Sequence, residues 1–186
     1  MKYIAAFCFL LLLGNLTNAQ TINLNVPDPS SLKTAEDYKP LEETVIELLQ
    51  SLTKDRYRIN KSSRLEADNF VSKWLNGCPY LHMYLHQAVV MGLIEEKATY
   101  GKELFTTYHF GVALHMLMNQ DKDYDGTEYE IQVAGINTMY ESYIKLNPQQ
   151  KSKTMENYGK LIRKNKLLEW VEKNVEFENT HGVKLN

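Results

Sequence analysis

The densest group of reactive side chains in the sequence is acidic and lies between residues 121 and 130. Three of the chain's seven aspartates, Asp121, Asp123 and Asp125, fall within five residues, and two glutamates follow before residue 131. Five carboxylates with only Lys122 among them repel one another unless a cation lies between them. Oxygen ligands of this kind bind hard cations, so this segment predicts a cation site.

The spacing of this segment resembles the calcium loop of EF-hand proteins. In that family, carboxylates at positions one, three and five bind the ion, glycine at position six permits the turn, and a carbonyl at position seven is a ligand. The resemblance implies weak calcium binding, with Gln132 at the position of the family's bidentate glutamate. The implied ligands are Asp121, Asp123, Asp125, Thr127 and Gln132.

Two departures from the family leave alternatives open. Gln132 is a neutral amide that offers one oxygen, and Glu128 occupies a position that is normally apolar. Thr127 and Glu130 form a capping-box pattern that restarts the helix early, which could bring Glu130 or Glu128 toward the ion instead. The competing interpretation is a solvated connection between two helices.

A second reactive group contains the cysteine and histidines of residues 78–115. Cys78, His82 and His86 would share one face of a helix, and His109 or His115 could complete a zinc or copper site from the next helix. Cys78 at a helix start is also a candidate nucleophile. No complete catalytic signature accompanies these residues, so a buried cysteine and structural histidines are favoured. A transition-metal protein or thiol-dependent enzyme remains the alternative.

The elements that position these residues are predicted to be helices. Apolar residues recur at helical spacing almost throughout, and no alternating run is bounded by hairpin turns. This pattern predicts an all-α, single-domain bundle of six or seven amphipathic helices. The predicted helices begin near Pro40, Ser63, Pro79, Lys102, Thr127, Asn147 and Leu167. The paired glutamates at 42–43 and 95–96 are expected on solvated faces.

The first 19 residues have the layout of a secretory signal peptide. Lys2 precedes an apolar run over 4–13, and Thr17 and Ala19 are small residues at the positions that precede a cleavage site. Ten apolar residues cover about half of the ~20 that a membrane-spanning helix needs. The expected organisation is a leader over 1–19, an extended lead-in over 20–39, a helical domain over 40–179 and a flexible tail over 180–186.

Cleavage of the leader would leave Cys78 as the only cysteine, because Cys8 lies within the leader. An intramolecular disulfide is then impossible. An exported chain of this size with one thiol fits a secreted or periplasmic protein of the bacterial envelope.

Charge and composition narrow the functional classes. The chain has 21 basic and 23 acidic residues, a formal net charge of −2, so no basic excess favours nucleic acid or anionic membranes. Its 44% hydrophobic residues are enough for a packed core. We therefore predict an exported, non-catalytic binding or interaction protein, with no membrane insertion, whose partner is a protein or a small molecule.

Overall fold

The computed structural model describes residues 21–119 and 128–175. The predicted leader, residues 121–127 of the acidic loop and the predicted tail lie outside the described residues. Within them, the expected all-α bundle is confirmed, with seven α-helices and no strand. The helices are α1 Glu42–Lys54, α2 Lys61–Gly77, α3 Gln87–Glu95, α4 Gly101–Asn119, α5 Glu128–Leu146, α6 Lys153–Arg163 and α7 Leu167–Asn174.

Two helix starts differ from their predicted caps. Helix α2 begins after Asn60, whose side chain accepts from the Ser62 N–H, whereas Ser63 turns inward and accepts from the Leu24 N–H at 2.7 Å. Helix α6 begins after Ser152, whose hydroxyl accepts from the Met155 N–H at 3.1 Å. A cap pattern in the sequence therefore identified the helix but not its first residue.

The start of the third helix was predicted wrongly. The sequence pattern places it at Pro79, but residues 78–86 are non-helical and α3 begins at Gln87. The reason is tertiary, because a side chain of another helix bonds to the backbone of this segment. Gln132 of α5 donates to the Tyr84 carbonyl at 3.0 Å. Such a bond satisfies a backbone group without a helix and overrides local propensity.

The segment before α1 packs on the bundle through three short 3₁₀ turns. These turns are Pro29–Ser31, Ala35–Asp37 and Lys39–Leu41. Ile22 forms an isolated parallel bridge with Ile59, and Leu32 is buried. This segment covers one side of the core that α1 and α2 form.

Helix α4 lies at the centre and is buried on two faces. One face contributes Phe110, Ala113 and Leu117 to the first core, which α1 and α2 otherwise form. The opposite face contributes to the second core, which α3, α5, α6 and α7 complete; its α4 residues are Leu104, Tyr108 and Val112. A helix that is apolar on several faces is expected in an interior position. Among the described helices, none has the length and hydropathy to cross a bilayer.

A buried ion-pair group holds the two cores together at one end of α4. The Arg56 guanidinium donates two hydrogen bonds of 2.8 Å to Asp68 of α2 and one of 3.2 Å to Glu103 of α4. Bidentate geometry fixes the angle between these groups. The neighbouring Tyr57 hydroxyl lies 3.0 Å from the Ser142 hydroxyl of α5. This group therefore connects α2, α4 and α5.

Candidate functional site

Four of the five predicted calcium ligands, Asp121, Asp123, Asp125 and Thr127, lie outside the described residues. The fifth, Gln132, is only 2% exposed on α5. Its amide oxygen accepts a hydrogen bond from the Tyr108 hydroxyl, and its amide nitrogen donates to the Tyr84 carbonyl at 3.0 Å. The side chain thus has a role in the interior that the sequence pattern did not indicate.

The Tyr108 hydroxyl is the centre of this buried network. It donates to Gln132 and lies close to the backbone N–H of His86. Burial raises the pKa of Tyr108 far above its usual range, so the hydroxyl keeps its proton. The groups of this network are neutral and have hydrogen-bond partners. The network holds segment 78–86 on α4 and α5.

The histidines predicted to share a helical face do not do so. His82 is exposed and His86 is buried, and both lie in the non-helical segment 78–86. His109 is buried on α4, and His115 is partly buried near the end of that helix. In residues 21–119 and 128–175, no group of three or more His, Cys, Asp or Glu side chains could hold a metal ion.

His109 is a neutral imidazole in an apolar environment. It is 7% exposed, and its Nε2 atom is buried without a hydrogen-bond partner. Burial lowers the pKa of His109 to about 4 from the usual 6.5. Desolvation penalises the charged form, so the ring stays unprotonated at neutral pH.

Cys78 is buried beside the phenol of Tyr80. The Tyr80 hydroxyl lies near both the Cys78 thiol and the Glu42 carboxylate. Partial burial and the Glu42 carboxylate raise the pKa of Tyr80. Glu42 also accepts from Lys39 Nζ at 2.8 Å. Glu42 was expected on a solvated helix face; it is instead buried and belongs to this group.

An apolar groove lies between α3 and α4, and we call it the α3–α4 groove. It has a volume of about 430 Å³ and is lined by Val90, Leu93, Ile94, Lys97, Ala98, Gly101, Lys102 and Phe105. Sites that bind small molecules in proteins usually have volumes of about 300 to 1,000 Å³ and mostly apolar walls. Ile94 in this wall is 61% exposed, which is unusual for so large an apolar side chain next to a concave surface.

The charged residues in the described lining of the groove are two lysines. Lys97 follows the end of α3 and Lys102 is the second residue of α4, and both are exposed. The acidic residues next to them in sequence are engaged elsewhere. Glu96 accepts from the Thr154 N–H at 2.8 Å and the Thr154 hydroxyl at 2.7 Å, and Glu103 accepts from Arg56. The groove therefore combines apolar walls with positive charge at its edge.

Gly101 keeps the wall of the groove open at the start of α4. A Cβ atom at this position would find only the Leu93 carbonyl, at 3.9 Å. By contrast, a Cβ atom on Gly92 would lie 2.2 Å from the Thr154 hydroxyl. Gly101 therefore has open space beside it in the groove, whereas Gly92 is needed for close packing of α3 on α6.

A second cleft of about 480 Å³ lies near the start of α4 and the end of α5. Two of its polar groups already have partners within the protein. The Tyr100 hydroxyl donates to the Gln150 carbonyl at 2.8 Å, and Glu103 accepts from Arg56 at 3.2 Å. The α3–α4 groove is therefore the better candidate for a binding site.

Sequence reasoning missed the groove, although one signal was present. Helix α3 has the sequence QAVVMGLIE, which is apolar on nearly every face, yet only Val89, Val90 and Leu93 are buried. Met91 and Ile94 remain exposed. A short helix with more apolar residues than its packing uses indicates a surface available for contact.

Comparison with protein-family models, with curated proteins and with solved structures gives no match for this chain.

Proposed function

We propose that this chain is an exported, non-catalytic binding protein whose ligand site is the α3–α4 groove. The observation that carries the proposal is the groove itself, an open apolar concavity of about 430 Å³ with Ile94 exposed in its wall. Apolar surface that folding leaves in contact with water favours an apolar ligand, at about 25 cal/mol for each Å² covered. The ligand class is a small molecule with an apolar body.

Nile red, a neutral apolar dye whose fluorescence rises in apolar surroundings, tests the groove. We expect saturable binding to the wild type and loss of binding in Gly101→Phe, because the ring has room to fill the groove. Gly101→Ala is the matched control, since a methyl group at this position meets nothing closer than 3.9 Å and leaves the groove open. Equal binding by Gly101→Phe and the wild type, with both folded, would place the dye elsewhere and contradict the proposal.

Export is supported by the leader pattern over residues 1–19, and it predicts a mature protein that begins at Gln20. Intact-mass measurement on protein isolated from its native host tests this. A mass that includes residues 1–19 would contradict export.

Calcium binding by the acidic loop is a second proposal, supported by the spacing of Asp121, Asp123 and Asp125. Without a bidentate glutamate at the twelfth position, affinity is expected near 10⁻⁴ to 10⁻³ M, roughly the extracellular range. Calcium at about ten times the dissociation constant would add ~1.4 kcal/mol of stability. Thermal unfolding with calcium or a chelator tests this, and Asp123→Ala should remove the difference. Identical melting of the wild type in both solutions would identify the loop as a solvated connection.

A further inference from the structure

We propose that the ligand of the α3–α4 groove is an amphipathic anion such as an alkyl carboxylate, with a linear alkyl chain between the two helices and its anionic head group at Lys97 and Lys102. This inference rests on the function proposed above, because it names the chemistry of the ligand that the same groove takes. Three features of the groove support it: the shape and polarity of its walls, the charges at its edge, and the backbone conformation of Lys97.

The walls favour an alkyl chain. Val90, Leu93 and Ile94 of α3 face Phe105 of α4 across the groove, and Ala98 and Gly101 leave it wide at the connection between the helices. Aliphatic walls contact an alkyl chain along its length, and each methylene removed from water contributes about 0.8 kcal/mol. A chain of moderate length therefore gains most of its affinity here without any polar contact.

The charges select an anionic head group. Among the lining residues, Lys97 and Lys102 are the charged ones, and the structure gives neither ammonium group an ion-pair partner among the described residues. Glu95 is exposed and is not part of the lining, while the Glu96 carboxylate is bonded to Thr154. Two lysines at one end of an apolar groove are complementary to an anion.

The dipole of helix α4 adds to the positive potential of the two lysines. The first residue of α4, Gly101, lines the groove, so the positive end of the dipole of this 19-residue helix lies beside the lysines. A head group beside Lys97, Lys102 and the start of α4 would thus meet three positive features.

Lys97 has a backbone conformation that its residue type does not favour. Among the described residues, three that are not glycine have positive φ, and two of them, Asn147 and Asn165, are of the type that tolerates it. Lys97, with φ of 50°, follows Glu96, the C-cap of α3, at the position where glycine is the usual residue. A lysine in this conformation is less stable than a glycine would be. The ammonium group that it places at the edge of the groove is a reason for lysine at this position.

Displacement of Nile red by three ligands with the same alkyl chain tests the head group. The ligands are decanoate, decanol and decyltrimethylammonium. We expect decanoate to bind about tenfold more tightly than decanol at low ionic strength, with the preference falling as salt is added, because exposed charges are screened. Decyltrimethylammonium should bind most weakly.

Two lysine variants and one control complete the experiment. Lys97→Met together with Lys102→Met retains the apolar stems but removes both charges, so decanoate should lose its preference while decanol binding stays unchanged. Lys61→Met, on the exposed start of α2, is the matched control and should keep the preference. Lys97→Gly should melt at a higher temperature than the wild type and still lose part of the preference, which separates binding from stability.

The outcomes distinguish the two proposals. Equal binding of decanoate and decanol to the wild type, or a preference that survives the loss of both lysines, overturns the anionic head group and leaves the apolar groove as the site. Failure of all three ligands to displace a dye that Gly101→Phe excludes also overturns this inference. Failure of the dye itself to bind the groove overturns both proposals.

Discussion

At the scale of single residues, the interior contains neutral polar side chains that the sequence pattern had suggested as metal ligands. Gln132 was predicted as a calcium ligand, but its amide lies between the Tyr108 hydroxyl and the Tyr84 carbonyl. His109 was considered for a metal site, but it is buried with Nε2 unbonded. These placements depend on which helix packs opposite, which a single sequence does not show.

The amide of Gln132 is expected to contribute to stability. Gln132→Glu removes the donor to the Tyr84 carbonyl and places an acid in a buried site, so the free energy of unfolding should fall by about 1 to 3 kcal/mol. Urea unfolding in the presence of a chelator measures this. Ile144→Gln, at an exposed position on the same helix, is the control and should have little effect. A stable Gln132→Glu protein that calcium stabilises further would indicate that this side chain faces the ion instead.

Burial of His109 predicts a loss of stability in acid. Its pKa is about 4 in the folded protein against 6.5 in the unfolded chain, so only the unfolded chain binds the proton between these values. Stability should therefore fall as pH decreases from above 6.5 to 4, by on the order of 2–3 kcal/mol for this residue. Partial burial lowers the pKa of His86 and His115 too, which adds to the same trend.

Variants isolate the contribution of His109. His109→Leu should have a weaker dependence of unfolding free energy on pH between 7 and 4.5, because the buried ring no longer titrates. His82→Leu, at an exposed position, should keep the dependence of the wild type. An unchanged dependence in His109→Leu would show that other groups cause the acid sensitivity.

At the scale of elements, helices with a regular apolar stripe could be predicted and those fixed by tertiary bonds could not. Helix α4 was expected over 102–118 and is Gly101–Asn119. Helix α3 was expected from Pro79 and begins at Gln87, because a bond from Gln132 of α5 holds the preceding backbone at Tyr84. The groove could not be predicted for a related reason. None of its residues is unusual by itself, and they form a concavity only because α3 packs beside α4.

The close approach of α4 and α5 explains Gly135 and gives a prediction. A Cβ atom on Gly135 would lie 2.6 Å from the Tyr108 ring and from the Val112 side chain, both fully buried. Gly135→Ala should therefore destabilise the protein by about 1 to 3 kcal/mol, since the packed interior must shift. Gly101→Ala is the paired control at an open position and should instead add about 0.4 to 1 kcal/mol. Urea unfolding of both variants checks the prediction, and a neutral Gly135→Ala would mean that the helices separate at little cost.

At the scale of the whole molecule, α4 joins two cores into one unit. Residues of α4 belong to both cores, and the partly buried Met83 and Met116 pack against each. The Arg56 group adds a connection between α2 and α4. A helix shared in this way cannot unfold from one core without exposing the other, so the two halves should lose structure together.

The chain's two tryptophans report separately on these cores. Trp74 is fully buried in the first core, and Trp170 packs edge-on against Tyr158 in the second, with ring centroids 5.2 Å apart. In Trp170→Phe the fluorescence reports the first core, and in Trp74→Phe it reports the second. Within each variant, urea midpoints from tryptophan fluorescence and from far-ultraviolet circular dichroism should coincide, because a cooperative unit gives the same transition with every probe. The Trp74→Phe protein should unfold at lower urea, since its substitution leaves space in a packed core. Fluorescence midpoints that separate from the dichroism midpoint would show that the cores unfold independently and that α4 does not couple them.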